Sequence, residues 1–287
     1  MLHTALPEEP GDRLQEALER GKIVLFPRCP IELPTPADLD FLRDELPARL
    51  ERKNVSYYPD ADRLVGVSGE VRARTQELLR AHARRVTEFL GSRVPGLTRN
   101  WRVGTSSFRP LQEKGRGLSA HASNELVHVD AGAYGATHGD RVLRFFVNVN
   151  PAKDRVWISR GAFGELFERH GAAAGVRGLG PYREGARGAL SVAVRAGMKV
   201  FPMLRVLDTS DYDRRMRRFH NWMKDTPGFQ DGEKLELRFP PLSAWMVFTD
   251  GVSHACIEGQ HAFVDTFVVP LENCALRERT PFAVLQQ

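Results

Sequence analysis

Cysteine is scarce in this chain of 287 residues: Cys29, Cys256 and Cys274 are too few and too scattered for a disulfide framework or a zinc knuckle. Their scarcity points to a reducing cytoplasm. Long hydrophobic runs are missing too, since no segment approaches the roughly 18 uninterrupted apolar residues of a membrane span. Met1 to Pro10 lacks the charged and apolar regions of a secretion signal. Internal repeats are absent, and the one biased tract is a Gly-rich stretch from Gly171 to Gly188. Aromatics interleaved with basic residues, the stacking platform of a single-stranded nucleic-acid binder, are represented by little more than Trp222, so no nucleic-acid partner is expected. What is left is a soluble chain long enough for one large domain or two small ones.

The formal net charge of +5 favours an acidic partner: a nucleic acid, an anionic lipid surface or an acidic sugar. Basic residues gather in two places. Arg72, Arg74, Arg80, Arg84 and Arg85 lie on a helical pattern from Val71 to Leu90 whose apolar stripe is Leu79, Ala83, Val86, Phe89 and Leu90, so most of them read as a solvated helix face. Arg214, Arg215, Arg217 and Arg218 lie on a shorter helix from Asp211 to Lys224, a better candidate for contact with a phosphorylated or lipid-bound substrate.

The order of elements is a helix-rich third followed by a strand-rich remainder. Helices are expected at Asp12–Arg20, at Pro36–Leu46 with Thr35 as N-cap and Pro47 as stop, and at Ala162–His170. Strands are expected at Ile23–Phe26, Trp101–Arg109, Glu125–Asp130, Arg141–Asn150, Lys199–Pro202, Lys234–Phe239, Ala244–Thr249 and Ala262–Val269. Many short strands with Gly and Pro turns argue a mainly β fold with flanking helices, its core a double-stranded β-helix, the cupin-like jelly roll. We expect a single domain over 1–287, with helical support in 1–100, the core in 101–270 and an insertion at 151–232 where such barrels carry substrate lids.

Leu126-Val127-His128-Val129-Asp130 puts two metal-binding side chains on one face of a strand. His254 follows an apolar strand and a Gly turn, residues 131 to 253 lying between. Two His and one carboxylate leave open positions on an ion, as in non-heme Fe(II) oxygenases. Chance supplies an HxD about once in every two chains of this composition, so the pair alone is weak. A second, His138-Gly139-Asp140, sits in a loop that would not fix two ligands, and His261 sits in loop chemistry as well. The competing reading is two core histidines bonded to backbone beside a turn aspartate. Cys256 is either a neighbour of the metal or, more simply, a small core hydrophobe.

A co-substrate carboxylate buried in the barrel would require a cation. The strand Ala262–Val269 has none, whereas in Arg141–Asn150 the residues Arg144 and Asn148 share a face that points inward. Arg144 is the candidate clamp, with Asn148 beside it. Arg109, at the end of its strand, and His121 and Ser123, in the loop leading to the ligand strand, are candidate substrate contacts.

With the His128-Val129-Asp130 motif, distal His254, and the phrases Ser106-Ser107-Phe108-Arg109-Pro110 and Arg144-Phe145-Phe146-Val147-Asn148-Val149-Asn150-Pro151, the chain resembles the Fe(II)/2-oxoglutarate dioxygenase superfamily. Within it, the chain is similar to the Kdo hydroxylases of Gram-negative bacteria over most of its length. The resemblance implies Fe(II), 2-oxoglutarate and O2 as cofactor and co-substrates, with succinate and CO2 released. It implies 3-hydroxylation of 3-deoxy-D-manno-oct-2-ulosonic acid (Kdo) attached to lipid A, at the cytoplasmic face of the inner membrane, by a soluble or loosely peripheral protein. An aspartate at 130, where Gly or Ala would open a halide site, implies hydroxylation over halogenation. A hydroxylase of protein or RNA and a non-catalytic cupin-like metal-binding protein stay open as alternatives, and Arg144 argues against the second.

Overall fold

β-branched and aromatic residues fill Arg141–Asn148 and Ala262–Val269 almost without interruption, as expected for strands covered on both faces. These two strands pair antiparallel at the centre of a computed structural model that describes residues 1–115, 119–132, 135–182 and 209–287. In chain order the strands are β1 Leu2–Thr4, β2 Ile23–Phe26, β3 Val55–Tyr58, β4 Arg63–Val65, β5 Arg102–Arg109, β6 Arg141–Asn148, β7 Arg155–Ser159, β8 Leu235–Phe239, β9 Ala244–Phe248, β10 Ala255–Glu258 and β11 Ala262–Val269. The helices are α1 Gly11–Glu19, α2 Pro36–Asp40, α3 Val71–Arg93, α4 Pro95–Thr98, α5 Phe163–His170, α6 Asp211–Asp225, α7 Pro227–Gln230 and α8 Pro281–Val284.

The strands form an eight-stranded sheet in the order β1-β2-β9-β6-β11-β5-β3-β4 and a three-stranded sheet in the order β10-β7-β8. The segment around His128 extends the smaller sheet through an antiparallel bridge to His254. This is the jelly-roll arrangement expected from the sequence, with sheets that do not close into a continuous barrel. Alternation along β6 sends Leu143, Phe145 and Val147 toward Leu79, Val86 and Leu90 of α3. The opposite face sends Phe146 between the sheets, where it packs with Trp157, Trp245, Phe239 and Val264. Trp245 stacks on Phe239 at 3.9 Å and on Phe146 at 5.0 Å between ring centroids. Each such ring, fully withdrawn from water, contributes about 2–3 kcal/mol. Arg144 shares this inner face with Phe146, as its sequence position predicts.

The basic residues of α3 do form a solvated face: Arg74 pairs with Asp38, Arg80 with Asp62 and Glu77, and Arg85 with Glu32. Among the described residues, no helix is long and apolar enough to cross a membrane.

Several boundaries differ from expectation. Thr35 caps α2 by accepting from the Asp38 backbone N–H at 3.3 Å, but the helix ends at Asp40 instead of Leu46. A π-turn over Phe41–Glu45 and a 3₁₀ turn over Leu46–Arg49 follow, because Pro47 lacks an N–H and bars the residue before it from continuing a regular helix. Glu125–Asp130 is bridged to the sheet at His128 and does not form a full strand. The strand expected at 199–202 lies outside the described residues. β7 falls within 151–232, so the segment carrying α5, α6 and α7 begins only after Ser159. The strands missed from sequence, β1, β3, β4, β7 and β10, have three to five residues each.

Candidate metal centre

His128 and His254 face each other across a pair of backbone hydrogen bonds, each N–H donating to the other's carbonyl at 3.1 and 2.8 Å. That bridge sets the two rings side by side, with centroids 4.8 Å apart. The Asp130 N–H donates to the Thr249 carbonyl at 2.9 Å, which anchors the third side chain two residues on and on the same face. One ligand atom from each of His128, Asp130 and His254 lies within 4.8 Å of the others, and the three side chains are nearly fully buried.

Which nitrogen each imidazole offers follows from its neighbours. His128 Nδ1 lies 2.7 Å from the Leu126 carbonyl and His254 Nδ1 lies 3.0 Å from that of Val252. A carbonyl only accepts, so both Nδ1 atoms carry the proton and both Nε2 lone pairs are left for a ligand. Burial, and for His128 the adjacent His254, lowers both imidazole pKa values, so the rings are neutral at physiological pH. Burial would raise the Asp130 carboxyl, but Arg144, His254, His128 and the Thr249 hydroxyl outweigh it and hold the group well below the usual carboxylate range. Two neutral imidazoles and one carboxylate, close-set and deprotonated, form the donor set that Fe(II) takes in a facial site.

Arg144 is not held in reserve as an isolated clamp. Its Nη2 lies 3.0 Å from Asp130 Oδ2, so the anion that this inward arginine requires is the candidate metal ligand itself. The arginine Nε is buried with no hydrogen-bond partner, which leaves part of its fork open to a second carboxylate. Asn148 is committed elsewhere: its amide donates to the Lys153 and Phe239 carbonyls at 3.0 Å each and accepts from the Asn150 N–H. It shapes the turn after β6, and its amide is engaged there.

The other expected contacts are dispersed. Arg109 pairs with Glu113 at 3.2 Å, and Glu113 also holds the buried Arg155. Ser123 accepts from the Glu125 N–H, and the exposed His121 pairs with Asp225 at 2.7 Å. His138 and Asp140 stay apart from the centre, with Asp140 accepting from Leu271. Cys256 is buried among Trp157, Phe239 and Trp245, a small core residue.

Several groups near the centre escaped the sequence reading. Trp157 of β7 stacks on His254, with centroids 5.2 Å apart and planes 27° apart. His220 of α6 meets His128 edge to face at 5.1 Å. Lys224 is buried, and desolvation pulls its ammonium down to about 8 despite the nearby Asp130. Beneath the centre, Arg141 Nε donates to Asp250 Oδ2 at 2.6 Å, both side chains buried, and Asp250 Oδ1 accepts from the Val142 N–H. This pair ties the turn that leads to His254 onto β6. Gly251 belongs to the same turn, and a Cβ there would collide with Arg141 Nη2.

Over residues 2–287 the sequence matches the family described as 3-deoxy-D-manno-oct-2-ulosonic acid (Kdo) hydroxylase. Among solved structures, apo KdoO, a Kdo hydroxylase and non-heme Fe(II) α-ketoglutarate-dependent dioxygenase, is similar at a TM-score of 0.81 and 27% identity, covering 100% of this chain and 94% of that one. Its complex with α-ketoglutarate and Fe(III) gives a TM-score of 0.80 and its cobalt(II) complex 0.81, at the same identity and coverage. No curated protein matches. A match that runs from residue 2 to the last residue described places this chain in the Kdo hydroxylase family of Fe(II)/2-oxoglutarate-dependent dioxygenases.

Proposed function

We propose that His128, Asp130 and His254 hold Fe(II), and that the protein hydroxylates C3 of Kdo on the inner core of lipid A. The observation that carries this reading is the convergence of two neutral Nε2 atoms and one ionised carboxylate within 4.8 Å in a buried site. Bound Fe(II) would supply dioxygen activation coupled to oxidative decarboxylation of 2-oxoglutarate to succinate.

The protein's own residues supply orientation and exclusion of water. The Leu126 and Val252 carbonyls hold the two imidazoles in the tautomer that ligates. Arg144 keeps Asp130 ionised through Nη2 and turns the rest of its guanidinium to the distal carboxylate of 2-oxoglutarate. Trp157, Phe146 and Trp245 fill the space between the sheets and form a dry floor beside His254.

An acidic sugar suits a chain of net charge +5. On α6, Arg215 is buried and used internally, donating to the Gly180 and Leu285 carbonyls, while Arg214, Arg217 and Arg218 are exposed. We assign these three to the phosphorylated glycolipid or the anionic surface that carries it, and propose the cytoplasmic face of the inner membrane as the site of action; their positive charge supports contact with an anionic surface. The test is succinate release with Fe(II), 2-oxoglutarate and Kdo-lipid A, together with mass spectrometry of core glycans from cells with and without the protein. A difference of one oxygen is expected. Metal binding without succinate release, coupled or uncoupled, would overturn the enzyme reading.

A further inference from the structure

The segment that carries His128 and Asp130 forms the outer edge of the smaller sheet, and an unpaired edge leaves alternate backbone groups without partners. On the inner side, His128 exchanges two hydrogen bonds with His254, and Asp130 donates to Thr249. Among the described residues no strand lies on the outer side, yet three of its backbone groups have side-chain partners. The Val127 N–H donates to Gln230 Oε1 at 2.9 Å, and Gln230 Nε2 donates to the Val127 carbonyl at 3.0 Å. The glutamine amide thus pairs with the backbone as a neighbouring peptide would. Gln230 Nε2 also donates to the Met223 carbonyl at 2.7 Å, which ties the amide to α6. Two residues along the strand, His220 Nδ1 donates to the Val129 carbonyl at 2.6 Å. Upstream, Lys224 Nζ donates to the carbonyls of His121 and Ser123 at 3.1 and 2.9 Å.

We infer that α6 and α7 act as a substitute strand for the metal-ligand segment, with Gln230 and His220 as positioning residues for His128 and Asp130. The inference rests on the reading of those two residues and His254 as the metal site. Three contacts on alternate backbone positions fix the segment's height and twist, so both ligands point at one spot only while the helical pair is docked. Loading of the metal and docking of α6 and α7 are then a single coupled equilibrium, and the helix that carries Arg214, Arg217 and Arg218 is mechanically part of the metal centre.

The test uses the full chain and Co(II). Gln230→Met keeps the side-chain volume and removes all three amide contacts; its Co(II) affinity, by titration calorimetry, should fall about 10- to 100-fold, the usual effect of removing a group that orients a metal ligand. Thr75→Val, which deletes a buried hydrogen bond inside α3, controls for general destabilisation and should bind Co(II) normally. Hydrogen exchange supplies a readout that a merely structural role would not move: Co(II) should slow exchange over residues 211–230 in the unmodified protein and lose that remote effect in Gln230→Met. A folded Gln230→Met with unmodified Co(II) affinity, or exchange over 211–230 that ignores Co(II), would overturn the inference while leaving the metal site standing. Failure of the unmodified protein to bind Co(II) would instead overturn the metal-site reading beneath it.

Discussion

Replacing Arg144 by alanine separates two tasks of one side chain. Its Nη2 lies 3.0 Å from Asp130 Oδ2, and both side chains are 12% exposed. Two unit charges about 4 Å apart attract by about 4 kcal/mol at an effective dielectric near 20. Removing one member of a buried pair typically costs about 3–5 kcal/mol, much of it the cost of stranding the other charge. Metal-free Arg144→Ala should therefore be less stable, with Asp130 easier to protonate. The second task is the grip on 2-oxoglutarate, where each charge-assisted hydrogen bond contributes about 1.5–3 kcal/mol. With a factor of ten for every 1.4 kcal/mol, loss of the guanidinium should weaken 2-oxoglutarate binding by about 10- to 100-fold. Arg144→Lys keeps the charge and loses the planar fork, so it should fall between. Calorimetric titration of 2-oxoglutarate into Co(II)-saturated protein without oxygen measures this directly, and a separate Co(II) titration shows that the metal is still held. A 2-oxoglutarate affinity within about threefold of the unmodified protein, with Co(II) bound, would refute the assignment and move the clamp to another residue.

Asp130→Ala should abolish measurable Co(II) binding in the same calorimetry and also lower the urea midpoint of the metal-free protein, because it leaves Arg144 buried without its anion. Asp265→Ala should cost about 2–4 kcal/mol in denaturant unfolding, since it strands the buried His82, whose Nε2 lies 2.9 Å from Asp265 Oδ2, while Co(II) affinity stays unchanged. Burial lowers the imidazoles of His128 and His254, so the unfolded chain takes up protons first as pH falls below its value of about 6.5. The metal-free protein should thus be most favoured above that pH and lose stability on acidification through the folded values, and the increase in Tm produced by Co(II) should shrink over the same fall. Thermal melts between about pH 8 and pH 5 check this, and a Co(II) increment that is flat with pH would contradict ligation by neutral imidazoles.

Sequence patterning located what depends on period and spacing. The 3.6-residue stripe of α3, the two-residue alternation of β6 that turns Arg144 inward, and the shared face of His128 and Asp130 are local properties of the chain. Contacts between distant segments were not legible. Nothing near residue 144 says that its anion is Asp130, and nothing near Gln230 says that its amide mimics a peptide against Val127, 103 residues away. Asn148 shows the limit most clearly, because alternation gave its direction correctly while the turn that follows claimed its amide. The short strands β3, β4, β7 and β10 carry too few residues to establish a period.

The stacking of Trp157 on His254 gives the site a built-in optical reporter. The indole lies 5.2 Å from the ligand ring and 5.6 Å from Trp245, so its excited state sits within van der Waals reach of a group that would bind the metal. A paramagnetic ion at that imidazole would offer the indole a fast non-radiative decay route. Tryptophan emission should dim as Co(II) loads and recover on chelation, which would let occupancy be followed in real time, without a label and before any substrate is added.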